Sequence, residues 1–190
     1  MVPDPVIYGD EPYDFVMIGT QIWMSRNLNY EVEGSKCYGD DGSNCAAYGK
    51  LYDWATAMAL PPSCNTSMCG SQIGTKHKGI CPDGWHIPSN AEWTTLSNSV
   101  KATELRSVFG WKTSNIVGTD NYGFSALPGG GSGYGVSGDV GERAYWWSAS
   151  QDYYNPDRQA YYQSIDYNSN STTNSRWYKD SFFSVRCLKD

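Results

Sequence analysis

The fold is decided by residues 81–93, which read Cys81-Pro82-Asp83-Gly84-Trp85-His86-Ile87-Pro88-Ser89-Asn90-Ala91-Glu92-Trp93. Ser89 and Glu92 have the spacing of a capping box. In that motif the serine hydroxyl accepts from the glutamate amide, and the carboxylate accepts from the serine amide. We therefore predict a helix that begins at Ser89 and buries Trp93, Leu96 and Val100.

Apolar spacing on either side of this stretch predicts two further helical segments. An amphipathic helix is expected over residues 50–60, because Pro61 and Pro62 prevent its continuation. A short helical segment is expected around residues 104–109, before Gly110. The apolar stripe of the first of these helices consists of Leu51, Trp54, Ala55 and Met58.

Strand patterns occupy both ends of the chain. Residues 15–24 predict a hairpin around a Gly-Thr turn. The Gly-rich residues 129–141 lack the Lys-Ser/Thr ending of a phosphate loop and do not open a helix, so we interpret them as a flexible surface loop. A small antiparallel sheet is predicted from residues 124–127, 144–149, 160–167 and 182–188.

The six cysteines predict three disulfides. Two pairs bracket short loops and are natural local closures, which leaves the remaining two cysteines to each other. The alternatives are six reduced thiols or a zinc site, although the chain has only two histidines and no Cys/His spacing typical of zinc ligands. The expected pairs are Cys37–Cys45, Cys64–Cys69 and Cys81–Cys187.

Length and charge limit the organisation and the partners. The 190 residues suit one domain, which we place at residues 13–190 after an N-terminal extension at residues 1–12. A net charge of −6 disfavours nucleic acid. No apolar run approaches the roughly 20 residues that cross a bilayer, so we expect no membrane insertion. Residues 1–5 lack the basic and apolar regions of a secretory signal.

The order of motifs along the chain resembles the Fibrobacter succinogenes major paralogous domain. The similarity extends from about residue 13 to the C-terminal region. The resemblance implies the C-type-lectin-like fold of the formylglycine-generating-enzyme group, whose Leu-Pro-Thr-x-Ala-Glu-Trp segment is similar to residues 87–93. The resemblance implies an α+β domain in which two helices flank small antiparallel sheets and a loop-rich region carries the ligand site. The motifs are residues 18–24, 27–30, 48–54, 81–88, 123–130, 146–148 and 183–187.

The same resemblance raises an enzymatic alternative, a formylglycine-generating-enzyme-like oxidoreductase. Those relatives use a pair of reactive cysteines near the C-terminus, where this chain has only Cys187. His77 and His86 cannot supply a three-histidine iron site, and we interpret His86 as a packed, hydrogen-bonded side chain. No nucleophile elbow or Ser/His/Asp signature is present. We therefore predict no catalytic residues and no enzyme activity.

Calcium is the cofactor alternative, because extracellular lectin-like domains bind it through oxygen-rich loops. Asp40, Asp41 and Asn44 lie in one such segment. Asn155-Pro156-Asp157 is similar to the Glu-Pro-Asn and Gln-Pro-Asp motifs of calcium-dependent lectins, but it follows Trp-Trp-Ser and no Trp-Asn-Asp comes after it. An ordinary turn is favoured. We expect no cofactor and no metal ligands, with calcium as the alternative.

Residues 145–178 have the composition of a binding surface. They contain seven Tyr, six Ser, four Asn and three Trp, which is 20 of 34 positions. Antibody contact loops use these residue types for amphipathic area and adaptable hydrogen bonds. Tyr145, Trp146, Trp147 and Tyr162 are assigned to the core, and Lys179 to the rim. The predicted ligand-binding residues are Tyr153, Tyr154, Asn155, Asp157, Arg158, Tyr161, Gln163, Asp166, Asn168, Asn170, Asn174, Arg176, Trp177 and Tyr178.

The sequence thus predicts a non-catalytic recognition or adhesion module for a protein or glycan on another surface. We expect an extracellular or cell-surface location, including a phage particle. Besides the oxidoreductase, a structural spacer of a larger surface protein is an alternative. The arrangement also resembles variable proteins of diversity-generating retroelements, in which adenine mutation of Asn codons yields Tyr, Ser and Asp. A missing template copy and reverse-transcriptase gene would discard that last hypothesis.

Overall fold

A computed structural model of the chain describes residues 4–133 and 136–190. The first three residues of the predicted extension, and residues 134–135 of the predicted Gly-rich loop, lie outside the described residues. Within these ranges the chain is α+β, with short helices, several sheets and three disulfides. No helix in the described part has the length and apolar character to span a bilayer.

The strands and helices are short and connected by long loops. The helices are α1 (Gly42–Tyr48), α2 (Trp54–Ala57), α3 (Asn90–Ser99) and α4 (Ala102–Leu105), with 3-10 turns at Tyr38–Asp40, Pro62–Asn65 and Gly70–Gln72. The strands are β1 (Val6–Tyr8), β2 (Glu11–Tyr13), β3 (Phe15–Ile18), β4 (Gln21–Met24), β5 (Trp85–His86), β6 (Gly129–Gly133), β7 (Val136–Val140), β8 (Arg143–Gln151), β9 (Gln159–Asp166), β10 (Thr172–Tyr178) and β11 (Leu188–Lys189).

Three sheets organise the described residues. β1 and β2 form a hairpin within and just beyond the predicted extension, and its Val6 and Tyr8 pack against the core. A four-stranded sheet has the order β3-β4-β11-β5, in which Leu188 pairs with both Trp23 and His86. A five-stranded sheet has the order β10-β9-β8-β6-β7 and carries the predicted ligand residues. Only its β6–β8 pairing is parallel.

The capping box forms as predicted. The Glu92 amide donates to Ser89 Oγ at 3.3 Å, and the Ser89 amide donates to Glu92 Oε2 at 2.8 Å. The helix that follows, α3, buries Trp93 and Leu96, and Val100 is buried at its C-terminal end. The helical segment expected at 104–109 instead ends at Leu105, because the next residue pairs with the backbone of Ala126.

The amphipathic helix predicted over 50–60 is wrong in length. Leu51 exchanges backbone hydrogen bonds with Lys36, and Tyr52 pairs with Phe183, so both residues are extended. Helix α2 begins only after Asp53, whose Oδ1 accepts from the Thr56 amide at 2.8 Å. Long-range pairing therefore overrides the local apolar period. Conversely, α1 begins at Gly42, inside the segment between Cys37 and Cys45 that was predicted as a short loop.

The prediction of a flexible surface loop at 129–141 is also wrong, because its described residues form β6 and β7, and β6 is largely buried. Glycine permits this close packing: a Cβ at Gly131 would lie 2.8 Å from a Phe183 ring carbon, and one at Gly129 3.0 Å from Tyr48 Cβ. Two predicted strands are shorter than expected. Residues 124–127 provide one bridge, at Ala126, and 182–188 provide single bridges before β11.

The three predicted disulfides are all present. The Cys81–Cys187 bridge links positions 106 residues apart and lies in a core cluster with Trp54 and Trp147. A second cluster, between α3 and the five-stranded sheet, includes Trp93 and Trp146. The assignment of Trp146 and Trp147 to the core is therefore confirmed, and this core supports the loop and edge strand that carry the predicted ligand residues.

Candidate functional site

The predicted ligand residues lie on the β8–β9 loop, on β9, at the β9–β10 turn and on the edge strand β10. Successive residues of a strand point to opposite sides of a sheet, so the sheet divides this set. Asn174 and Arg176 lie on the side of α3, where the Asn174 amide contacts Asn90 Oδ1. Trp177 lies on the other side: its indole nitrogen is 3.4 Å from where a Cβ on Gly133 would lie. The set is therefore not one continuous surface.

The β8–β9 loop, residues 152–158, is held by buried polar groups. Asp152 is buried, and its Oδ2 accepts from the Asn155 amide at 3.1 Å. The Pro156 carbonyl accepts from Gln151 Nε2 and from Lys179 Nζ, both at 2.7 Å. Asn155-Pro156-Asp157 forms a turn in which the Asn155 carbonyl accepts from the Gln159 amide at 2.8 Å. These hydrogen bonds hold the backbone of the β8–β9 loop from its buried side.

Lys179, predicted at the rim, is instead fully buried, which corrects that prediction. Its ammonium donates to the carbonyls of Cys64 at 3.0 Å, Ser67 at 3.2 Å and Pro156, and lies 4.4 Å from the centre of a Trp54 ring. Burial lowers the pKa of Lys179 to about 8. The ammonium thus joins the Cys64–Cys69 loop to the β8–β9 loop.

On this fixed loop the two tyrosines point into solvent. Tyr153 is 83% exposed and Tyr154 81% exposed, and their rings meet edge to face at 5.2 Å. The Arg176 guanidinium lies 5.8 Å from the Tyr154 ring centre and 3.8 Å from Asp152 Oδ1. We call the exposed side chains of Tyr153, Tyr154, Asp157, Arg158 and Arg176 the tyrosine surface.

Other predicted ligand residues lie away from this surface. Asn168 and Asn170 are exposed at the β9–β10 turn, and Asp166 pairs with Arg143 at 2.6 Å. β9 has eight residues, so at ~3.4 Å per residue it separates this turn from the tyrosine surface by roughly 27 Å. A single partner would need an interface at least as wide as this separation to contact both ends.

Gln163 does not belong to any exposed surface, which corrects its assignment as a ligand residue. It is 2% exposed, and its Nε2 donates to Ser97 Oγ of α3 at 2.8 Å. Tyr161 and Asn155 are half-buried. Trp177 and Tyr178 are exposed and meet edge to face at 5.9 Å on the edge strand.

A groove on the side of the sheet opposite α3 was missed by the sequence analysis. Its cavity volume is about 330 Å³, and we call it the aromatic groove; its side-chain lining includes Asp139, Arg143, Tyr145, Tyr162, Trp177 and Phe183. Tyr145 and Tyr162, predicted as core, are only half-buried because they form part of this lining. The signal that could have located them is the strand alternation that places Arg143 and Tyr145 on one side.

The other candidates from the sequence have structural partners. His86 is buried, as predicted, with Nδ1 2.7 Å from Asp190 Oδ1 and Nε2 3.0 Å from Glu92 Oε1. In the calcium candidate, Asp41 accepts from the Ser43 amide at the start of α1, and the Asn44 amide donates to the Tyr38 carbonyl at 2.9 Å. Residues 4–133 and 136–190 contain no cluster of three or more His, Cys, Asp or Glu side chains suited to a metal ion.

Comparison with protein families decides the membership of the chain. The sequence model of the Fibrobacter succinogenes major domain matches residues 16–189. The chain belongs to the Fibrobacter succinogenes major domain family. The family match covers both the four-stranded and the five-stranded sheets, so the tyrosine surface and the aromatic groove lie within the family domain. No curated protein and no solved structure matches the chain.

Proposed function

We propose that this domain is a non-catalytic recognition module on a C-type-lectin-like scaffold, which binds a protein or glycan on another surface through the tyrosine surface. The three disulfides favour an extracellular or cell-surface location, because such bonds persist in oxidising compartments. The α+β architecture and the pairing of β11 with β4 support the scaffold assignment.

One observation carries the proposal: Tyr153 and Tyr154 are almost fully exposed on a loop whose backbone is fixed by buried polar groups. Exposed clusters of large side chains with a polar surround mark interaction sites. A loop that is ordered before binding loses little conformational entropy when it engages a partner. Tyr and Arg are also the residue types that contribute most to binding energy in interfaces.

The oxidoreductase alternative needs a reactive thiol. All six cysteines are paired in disulfides, and Cys187 lies buried in the core, so the pairing favours recognition over cysteine chemistry. The spacer alternative requires no exposed aromatic pair on a fixed loop. The spacer alternative therefore does not explain why Tyr153 and Tyr154 are exposed on such a loop.

The test begins with the wild-type chain on a glycan array and on an array of surface proteins. The ligand with the strongest signal is then titrated against the triple variant Tyr153→Ala, Tyr154→Ala, Arg176→Ala. We expect at least tenfold weaker binding, because about 1.4 kcal/mol corresponds to tenfold and each anchor residue contributes on that scale. Thermal unfolding should change by only a few degrees.

A matched control removes exposed apolar area elsewhere. Ile7 and Met17 are 66% and 67% exposed on β1 and β3, and the double variant Ile7→Ala, Met17→Ala should bind the same ligand as wild type does. Equal binding by the triple variant would exclude the tyrosine surface as the site. Two arrays without a ligand would favour the spacer.

A further inference from the structure

We infer that the aromatic groove is a second binding site, separate from the tyrosine surface, and that it takes a neutral pyranose ring without a metal ion. The groove lies on the side of the five-stranded sheet opposite α3, between the β6–β7 hairpin and β10. Its volume of about 330 Å³ is at the lower end of the range of small-molecule pockets. That size suits one ring of an oligosaccharide.

The floor of the groove consists of aromatic rings. Tyr145 stacks on Phe183 with ring centres 4.9 Å apart, and Tyr162 lies 5.3 Å from the same phenylalanine. Trp177 forms a partly exposed wall. A pyranose ring has one apolar face of C–H groups, which packs on such rings, and an edge of hydroxyls that must meet polar groups.

The polar groups that such an edge requires stand beside the floor. Tyr145 Oη donates to Asp139 Oδ2 at 2.6 Å, while Arg143 Nε lies 2.6 Å from Asp166 Oδ2. Burial, reinforced by the Asp139 bond, raises the pKa of Tyr145, so its hydroxyl stays protonated as a donor. An ionised carboxylate has about four acceptor positions. Asp139 therefore has capacity for sugar hydroxyls beyond its bond to Tyr145.

The charges at this rim favour a neutral ligand. Arg143 lies between two carboxylates, 2.6 Å from Asp166 and 3.6 Å from Asp139. The Arg143 guanidinium thus already pairs with both carboxylates. A cationic ligand would compete with Arg143, and an anionic one would meet Asp139. Hydroxyl groups can instead donate to the carboxylates and accept from the guanidinium without displacing either.

Glycines keep the groove open on the hairpin side. Gly131 pairs with Gly138 across β6 and β7, so their Cβ positions share one side of the sheet. A Cβ on Gly131 would meet the Phe183 ring at 2.8 Å, whereas one on Gly138 would meet no atom within 4 Å. A large side chain at Gly138 would therefore enter open space in the groove and leave the β6 packing unchanged.

The experiment titrates methyl β-D-glucopyranoside, methyl β-D-galactopyranoside and methyl α-D-mannopyranoside into the wild-type chain in the presence of a chelator. Indole signals in heteronuclear NMR report on Trp177. We expect millimolar binding of at least one glycoside, with shifts at the Trp177 indole. Gly138→Phe should weaken glycoside binding at least tenfold. Asp139→Asn, which retains a residue suited to the positive φ of 68° at that position, should weaken it three- to tenfold.

The outcomes separate this site from the tyrosine surface. The triple variant at Tyr153, Tyr154 and Arg176 should bind the glycoside as wild type does, and Gly138→Phe should still capture the array ligand. No binding of any of the three glycosides, or unchanged binding by both groove variants, would overturn the inference. So would stronger binding of tetramethylammonium chloride than of the glycosides. None of these results would alter the outcome at the tyrosine surface.

Discussion

Two sets of aromatic rings in this domain each lie against an arginine side chain. The two sets differ in how that arginine is hydrogen-bonded. In the buried set, Arg186 lies 4.4 Å from the Phe124 ring centre and 5.8 Å from Trp146. In the exposed set, Arg176 lies 5.8 Å from the Tyr154 ring centre. The residue types are alike, but one set is core and the other is solvent-facing.

Hydrogen bonding explains the difference. The Arg186 guanidinium donates to Asn27 Oδ1 and to the carbonyls of Met24 and Phe124, although burial lowers its pKa to about 9. Buried polar groups need such partners. Among the described residues, the Arg176 guanidinium approaches Asp152 at 3.8 Å and the Tyr154 ring. Satisfied donors thus indicate a structural arginine, while an exposed one with donors to spare is suited to a partner.

The largest effect should come from the buried set. Trp146→Ala removes a fully buried ring and the bond from its Nε1 to Asn27 Oδ1 at 2.8 Å. We expect a loss of about 3–5 kcal/mol in the free energy of unfolding. Tyr154→Ala, the matched change in the exposed set, should cost within about 0.5 kcal/mol. Denaturant unfolding measures both, and similar losses would contradict the distinction between the two sets.

A smaller effect is expected at Lys179, which lies between the two regions. Lys179→Met keeps the stem against Trp54 but removes the ammonium that donates to the carbonyls of Cys64, Ser67 and Pro156. The Pro156 carbonyl keeps its bond from Gln151 Nε2. The expected loss is about 1–3 kcal/mol. Amide hydrogen exchange in residues 152–158 should accelerate, because the loop loses its anchor.

The control for this change is Lys189→Met, at an exposed lysine of β11. It should leave both stability and exchange in the β8–β9 loop unchanged. If the amides of residues 152–158 exchanged no faster in Lys179→Met than in this control, the order of the loop would not depend on the buried ammonium. The β8–β9 loop would then lack the support for being ordered before it binds a partner.

The smallest effect concerns pH. Burial opposes the charge on His86, but the hydrogen bonds that its ring nitrogens donate to Glu92 and Asp190 outweigh burial and raise the pKa of His86 above 6.5. Burial likewise opposes ionisation of Glu92, but His86 and Ser89 lower its pKa below 4.5. The His86 contribution is complete below pH 6.5 and is lost as pH rises through the raised value. The Glu92 contribution is complete above pH 4.5 and is lost on acidification through the lowered value.

Melting temperature should therefore fall slightly as pH rises from 6.5 through the raised pKa of His86. His86→Gln, which cannot carry the charge, should show a flatter profile over the same range. Parallel profiles for the two proteins would contradict a stabilising role for the charged histidine at the junction of β5, α3 and β11.

Local chemistry made several features predictable. The capping box needs only two side chains three residues apart, so Ser89 and Glu92 fixed the start of α3. The three disulfides followed from cysteine spacing. The composition of residues 145–178 located the exposed loop of Tyr153 and Tyr154. Each of these signals is contained within a few residues or in a simple count.

Long-range packing decided the rest. Strand β6 is rich in glycine because Tyr48 and Phe183, distant in sequence, lie where side chains of Gly129 and Gly131 would be. The burial of Gln163 and Lys179 follows from contacts with α3 and with the Cys64–Cys69 loop. Local sequence patterns were therefore enough to predict the start of α3, the three disulfides and the segment rich in aromatic residues. The side of the sheet on which each aromatic ring lies could not be predicted in this way, because it depends on pairing with strands that are distant in sequence.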